Sequence, residues 1–389
     1  MIDWDRLEPL RKGPLREGAF TSPLHSERVA ARLGLALAVA FGTCFLTGLV
    51  SHFMQHPAGW MHWPASPSWL YRLTQGVHVA TGTASIPLLG AKLYAVGPKL
   101  FAWPPARSLL HAAERASLLL LVGGAVFELV TGLLNVARYY PWHFFFPMAH
   151  YWVAWITIGA LVVHVAAKIE VIRRGLSKPL DTEDAKPGSL SRRSFVGAAV
   201  VAGGIVTLTT VGETLTPLRR VDVLGQRRGD IGPQQLPVNK SAVEADITTR
   251  ALNPSYRLIV DGPQPFTLRL DQLRAMTQHT VRLPISCVEG WSVQATWSGV
   301  RVRDLLDRAG FDPSADVHVE SLQTNGRYKE SFLRTPISRD DRTLLGLRLN
   351  GADLDLDHGF PCRLIAPARP GVLQTKWVAK ISLATGGDG

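Results

Sequence analysis

The sequence predicts an all-α bundle of five membrane-spanning helices followed by an α+β domain that lives in water, and three observations predict it. Hydrophobic residues make up 46% of the 389 and charged residues only 19%, which is more apolar than an ordinary soluble chain. The apolarity is uneven: residues 29–218 hold several runs long enough to cross a bilayer, whereas residues 219–389 spread their charges as a soluble domain does. The net charge of +11 comes from Lys and Arg clustered beside the apolar runs, where the positive-inside bias places them, and this argues against a nucleic-acid partner.

The expected spans are residues 29–53, about 74–97 (weakened by Pro87 and Lys92), about 114–136, 147–172, and 195 to about 215. Arg11, Lys12, Arg16, Arg28 and Arg32 precede the first. Lys99, Arg107 and Arg115 lie between the second and third. Lys168, Arg173, Arg174, Lys178, Lys186, Arg192 and Arg193 lie between the fourth and fifth. The two other loops carry Arg72 and Arg138 among Trp, Tyr, Phe, His and Pro, the composition of an interfacial belt. The N-terminus is therefore expected in the cytoplasm and the C-terminal domain outside a bacterial-type plasma membrane. The expected organisation is a transmembrane domain over 1–176, a linker, fifth span and tether over 177–236, and the outer domain over 237–389. A faint internal repeat links His25-Ser26-Glu27-Arg28 and Leu46-Thr47-Gly48-Leu49 with His111-Ala112-Ala113-Glu114-Arg115 and Val130-Thr131-Gly132-Leu133.

Three histidines stand out in the second and fourth spans. His78 opens the second; His150 and His164 lie on the fourth, fourteen residues apart, which is close to four helical turns on one face and roughly 21 Å along the axis. Spans two and four run in the same direction, so His78 and His150 are expected at similar depth, where two imidazoles can clamp one b-type haem. The plainer alternative is hydrogen bonding between helices. The arrangement resembles the two-haem cytochrome b family that forms membrane subunits of respiratory hydrogenases and formate dehydrogenases, over roughly residues 25–172. That resemblance implies a four-helix haem-binding core, one haem b on His78 and His150, and a second at His164, although Lys92 stands where the second partner should be. Gly48 and Gly132 fit a haem edge lying against a helix. His52, His56, His62 and His143 sit in aromatic outer loops, as interfacial or quinone-site residues do.

Ser191-Arg192-Arg193-Ser194-Phe195, followed by a Gly- and Ala-rich apolar run, looks like a twin-arginine export signal, the address of domains that cross a membrane already folded. Two arginines beside a span also satisfy the positive-inside bias alone.

Three cysteines, Cys44, Cys287 and Cys362, form no CxxC pair, so a special cysteine must act alone. Cys44, in a span, reads as a small hydrophobe. Cys287 lies in Ile285-Ser286-Cys287-Val288-Glu289-Gly290-Trp291-Ser292, between a β-like stretch (280–284) and a helix (302–309). Downstream stand Asp357-His358-Gly359-Phe360-Pro361-Cys362-Arg363, Gly371 and Lys376-Trp377. Together these segments resemble the sulfite oxidase family, over about residues 237–388, and the cysteine segment is most similar to the branch containing periplasmic methionine sulfoxide reductases. The resemblance implies an α+β molybdopterin domain in which Cys287 is the protein thiolate on molybdenum, and a soft thiolate suits that metal. It further implies cofactor contacts from Asn239, Ser321, His358, Arg363, Gly371 and Lys376, with Tyr328 facing the substrate oxygen. Leu373 stands where the family carries a basic residue, a role that passes to Lys376 or Arg369.

These readings imply a membrane-bound molybdopterin oxidoreductase that moves electrons between quinone, haem b and molybdenum. Its expected substrate is a small-molecule or protein sulfoxide, which it reduces; the alternative is oxidation of sulfite or a similar anion. A non-enzymatic electron-transfer or binding protein with a degenerate outer domain is the rival from another class.

Overall fold

Long apolar runs form the first helices: α1 (Glu27–Gln55), α2 (Leu70–Leu100), α3 (Leu109–Val136), α4 (Phe146–Ala167), the short α5 (Ile169–Ser177) and α6 (Arg192–Leu208). The computed structural model describes residues 12–16, 18–104, 108–180, 190–225 and 228–384; Arg11, Arg107 and Lys186 lie outside them. Among the described residues five segments are long and apolar enough to cross a membrane: α1, α2, most of α3, α4 and Arg192–Glu213. Helices α1 and α2 outrun the expected apolar stretches at both ends, because backbone hydrogen bonding continues after hydropathy falls. Span four is shorter than expected, since Lys168 (φ −111°, ψ 11°) breaks the chain between α4 and α5. Ser191 caps α6, its hydroxyl accepting the Ser194 N–H at 3.1 Å.

The chain divides into two compact units, one holding the residues up to Leu46 with Val77–Thr210, the other Thr47–Gly76 with the residues from Val211 onward. In the first unit Val29, Leu33, Leu88, Ala95 and Ala199 form a core shared by α1, α2 and α6. Helices α3 and α4 pack closely, and Gly124 faces Thr157 where no larger residue fits. Leu46, Trp152, Ile156 and Val162 remain more than half exposed (63, 61, 54 and 62%), an outward apolar surface suited to lipid. The Lys92 ammonium donates to the Ala30 carbonyl, in the first turn of α1, at 2.6 Å.

The second unit carries the sheets. Short helices α7 (Thr248–Ala251), α8 (Leu270–Ala275) and α9 (Val302–Arg308) accompany ten strands: β1 (Arg257–Asp261), β2 (Phe266–Arg269), β3 (His279–Ser286), β4 (Ser292–Arg301), β5 (Val317–Ser321), β6 (Glu330–Leu333), β7 (Leu344–Leu349), β8 (Ala352–Asp353), β9 (Arg363–Ile365) and β10 (Val378–Leu383). One sheet has the order β2-β1-β10-β5-β6, the other β3-β4-β7-β8 with β9 also on β7. Alternation writes the first: in β1, Leu258 and Val260 are buried while Arg257, Ile259 and Asp261 face out. Leu258, Val260, Leu305, Leu306, Val319, Leu345 and Ile381 share one core with Ala65.

Ala65 belongs to the stretch between α1 and α2, which the sequence reading assigns to the transmembrane domain. Residues 47–76 instead group with the sheets. Arg334 donates to the Ala58 carbonyl at 2.6 Å, Arg342 to the Ala65 carbonyl at 3.1 Å, and the Ala368 N–H to the Ser68 carbonyl at 3.3 Å. The tether expected from Leu215 to about Pro237 likewise falls inside this unit.

Candidate functional site

Cys287 sits in the turn joining β3 to β4, whose last pair is Ser286 opposite Ser292. The turn is closed by the Cys287 N–H donating to the Trp291 carbonyl (2.9 Å) and the Gly290 N–H to the Cys287 carbonyl (3.2 Å). Gly290 takes φ +98°, a conformation that a side chain would resist. Asn239 donates its side-chain amide to the Cys287 sulfur at 2.6 Å. The sulfur, though nearly inaccessible, borders a cleft lined also by Asn239, Ser321, Tyr328, Arg363, Gly371 and Lys376. Seven of the eight residues expected in this site thus share one cavity.

The eighth, His358, is buried behind it: Nε2 donates to the Pro233 carbonyl at 2.7 Å, and the His358 carbonyl accepts from Arg363 at 3.3 Å. Burial, reinforced by the Arg363 charge, lowers His358 to about 4, so the ring is neutral. Arg363 is lowered to about 10 and Lys376 to about 7, in both cases first by burial, with Arg363 adding repulsion on Lys376. Lys376 donates to the carbonyls of Lys240 (2.9 Å) and Asp357 (2.7 Å). Arg369 is spent differently, on the carbonyls of Leu373 (3.0 Å) and Phe332 (2.7 Å). Of the two candidates to replace the basic residue missing at Leu373, only Lys376 lines the cleft.

Arg363 Nε and Gln374 Oε1 are buried and lack hydrogen-bond partners among the described residues. Buried polar atoms are normally paired, and these two belong to cleft-lining side chains. A Cβ on Gly371 would come 3.0 Å from the Ser286 carbonyl, so the wall there stays thin. A cationic cleft with unpartnered polar groups and one cysteine fits an anionic, sulfur-ligated metal cofactor. Burial raises the Tyr328 phenol, opposed by Arg327 and assisted by Cys287, which keeps it a proton-bearing donor. Lys240, Gln323, Arg327 and Gln374 also line the cleft and were not singled out. Lys240 and Arg327 flank Asn239 and Tyr328 in sequence, a usable signal; Gln374 carried none.

Residues 244–387 match the family model described as oxidoreductase molybdopterin binding domain. The C-terminal part is a sulfite-oxidase-type molybdopterin-binding domain. This molybdopterin domain is 30% identical over 158 residues to mitochondrial sulfite oxidase of Mus musculus, covering 33% of this chain and 29% of that protein. It is also 30% identical over 121 residues to the uncharacterized oxidoreductase YuiH of Bacillus subtilis (strain 168), covering 30% of this chain and 58% of the relative. The chain thus spans less than a third of the mouse enzyme's length. Among solved structures the sulfane dehydrogenase SoxCD from Paracoccus pantotrophus matches at 22% identity and a TM-score of 0.31, over 34% of this chain and 40% of that one. The matched family model describes an oxidoreductase domain.

In the other unit the rings of His78 and His150 lie with centres 6.0 Å apart and planes at 76°. Two imidazoles bound to one metal from opposite sides, each at about 2 Å, place their centres roughly 6 Å apart. His78 Nδ1 donates to the Cys44 carbonyl at 2.8 Å, the kind of bond that leaves Nε2 free as a ligand. His150 is held at both nitrogens, by Thr131 at Nδ1 (3.0 Å) and Glu128 at Nε2 (3.0 Å), so ligation through Nε2 requires the carboxylate to turn away. His164 stands apart in the last turn of α4, with Lys92, Lys168 and Glu114 as its charged neighbours.

Proposed function

We propose that this chain is a membrane-bound molybdenum oxidoreductase that passes electrons between a membrane quinone, haem b and a molybdopterin centre, and that it reduces a sulfoxide-type substrate. The observation that carries the reading is the Cys287 thiol at the edge of a buried cationic cleft, with an amide donor on its sulfur. Bound there, molybdenum supplies two-electron oxygen-atom transfer, while haem supplies single-electron steps. Cys287 holds the metal. Arg363 and Lys376 receive the phosphate of the pterin, to which a guanidinium is matched in shape. His358 positions Arg363 through its carbonyl, and Ser321 and Gly371 form walls. Tyr328 holds a proton beside the substrate oxygen. In the helical unit His78 and His150 hold the haem, and His164 marks a second position.

In this reading the first part spans a bilayer, with the N-terminus in the cytoplasm and the molybdopterin domain outside; five long apolar segments and the positive charge of the loops support it. Arg192 and Arg193 serve as the export address.

Oxidation of sulfite is the second reading. The mouse relative is a sulfite oxidase, and Lys240 and Arg327 add positive charge to the cleft, which suits an anion better than a neutral sulfoxide. One experiment separates the two: metal and haem analysis of the purified full chain, then optical titration of its haem band. Oxidation of reduced haem by methionine sulfoxide supports the first reading, and reduction of oxidised haem by sulfite the second. A molybdenum-loaded protein whose haem answers neither sinks both.

A further inference from the structure

The Cys287 turn is held from outside the family-matched residues 244–387. Gln75, in the second turn of α2, donates its amide to the Val288 carbonyl at 3.1 Å. Thr214 donates its hydroxyl to the Gly290 carbonyl at 2.5 Å. Thr214 is itself gripped, since Arg72 donates to its carbonyl from Nε (3.0 Å) and Nη2 (2.5 Å). Gly76 admits it: a Cβ there would meet the Thr214 methyl at 2.6 Å. Gln75 and Thr214 are 7% and 4% exposed, so water does not compete for these bonds. Tyr71, one turn before Gln75, is wholly buried and lies in the electrostatic field of both Cys287 and Tyr328.

Two buried donors therefore fix the carbonyls on either side of Glu289, in a five-residue turn whose first member is Cys287. A thiolate's overlap with a metal depends on its torsion angles, and those angles follow the turn. We infer that Gln75 and Thr214 are positioning residues for the Cys287 sulfur, so that the geometry and potential of the metal centre are set in part by α2 and the segment after α6. The inference rests on Cys287 as the molybdenum ligand. Neither residue touches substrate; both act through the turn.

The test uses the full chain, loaded with molybdenum, and reads the Mo(V) electron paramagnetic resonance spectrum and midpoint potential in a redox titration. Gln75→Leu and Thr214→Val remove the donors while keeping bulk; Thr214→Ser keeps the hydroxyl. The double variant is expected to retain molybdenum, shift both spectrum and potential, and lose roughly 10–100-fold in turnover, as losses of supporting bonds around metal ligands do. Thr214→Ser is expected to keep the wild-type spectrum. A wild-type spectrum and potential in the double variant overturns the inference, as does loss of molybdenum from Thr214→Ser, because bulk rather than the hydrogen bond is then what matters. Cys287→Ser separates the two levels. If it alters the Mo(V) spectrum while the double variant does not, only the positioning role falls; if it leaves the spectrum intact, the ligation reading fails and the inference with it.

Discussion

Asn239 donates its side-chain amide to the Cys287 sulfur at 2.6 Å. An N–H donor on a thiolate withdraws electron density from the metal behind it, and such bonds are a recognised control on potential. Asn239→Leu is expected to make the molybdenum easier to oxidise, lowering its midpoint potential, with a change of about 1.5–3 kcal/mol, the usual range for a hydrogen bond to a charged group. Potentiometry on the loaded protein checks it; an unchanged or raised potential contradicts the role.

The helical unit makes a separate prediction. His78 and His150, with ring centres 6.0 Å apart, are the pair proposed to hold a haem. His78→Ala and His150→Ala are each expected to lose this haem, whereas His164→Ala keeps it. Pyridine haemochrome quantitation decides the matter, and full haem in either of the first two variants removes the pair from consideration.

Lys376 ties stability to pH. Burial, with Arg363 adding repulsion, holds it at about 7, below the 10.5 of a free ammonium. Below pH 7 folded and unfolded chains both carry the proton, and the folded state bears the full cost of burying it. Between about 7 and 10.5 the unfolded chain still holds a proton that the folded one has released, so stability rises with pH through this window. Protein made in a host unable to synthesise molybdopterin should therefore show a Tm that climbs with pH, and Lys376→Met should flatten that climb and raise the Tm at pH 6. An identical pH slope in the variant is the contrary result.

The arginine pair that opens α6 is tested by sidedness. Replacing Arg192 and Arg193 by Lys preserves the charge that sets topology, so a pure charge rule predicts normal insertion. A receptor that reads guanidinium groups predicts that the molybdopterin domain stays inside, protected from added protease. The second outcome is expected. A variant still exposed outside and loaded with molybdenum reduces the pair to a topology signal.

Much of this was legible in the chain. Apolar run length found the five long helices, and the Cys287 and His358-to-Arg363 segments led to a domain that the family model also matches. Hydropathy could not see that Lys92 ends on the Ala30 carbonyl, because a helix-to-helix bond has no local signature. Nor could it assign residues 47–76, whose place depends on Arg334 and Arg342 reaching backbone carbonyls nearly 280 residues away in sequence. Asn239 bonds directly to the sulfur, yet its position is set by the chain path, and a lone amide in a loop advertises nothing. His358 was read as a cleft residue and lies one layer behind, since a motif reports which residues cluster but not which of them faces inward.

The parallel pairing of β1 with β10, Ile259 beside Lys380, bears on how the protein is made. Synthesis delivers β1 more than a hundred residues before its neighbour, and sheets closed by such distant partners form slowly. Until β10 emerges, β1 has only β2 beside it, and Lys376 and Trp377, which form one wall of the cleft, are still inside the ribosome or just leaving it. A chain stopped before residue 376 would therefore leave the first sheet without β10 and the cleft without Lys376 and Trp377, however much of the Cys287 turn had already formed.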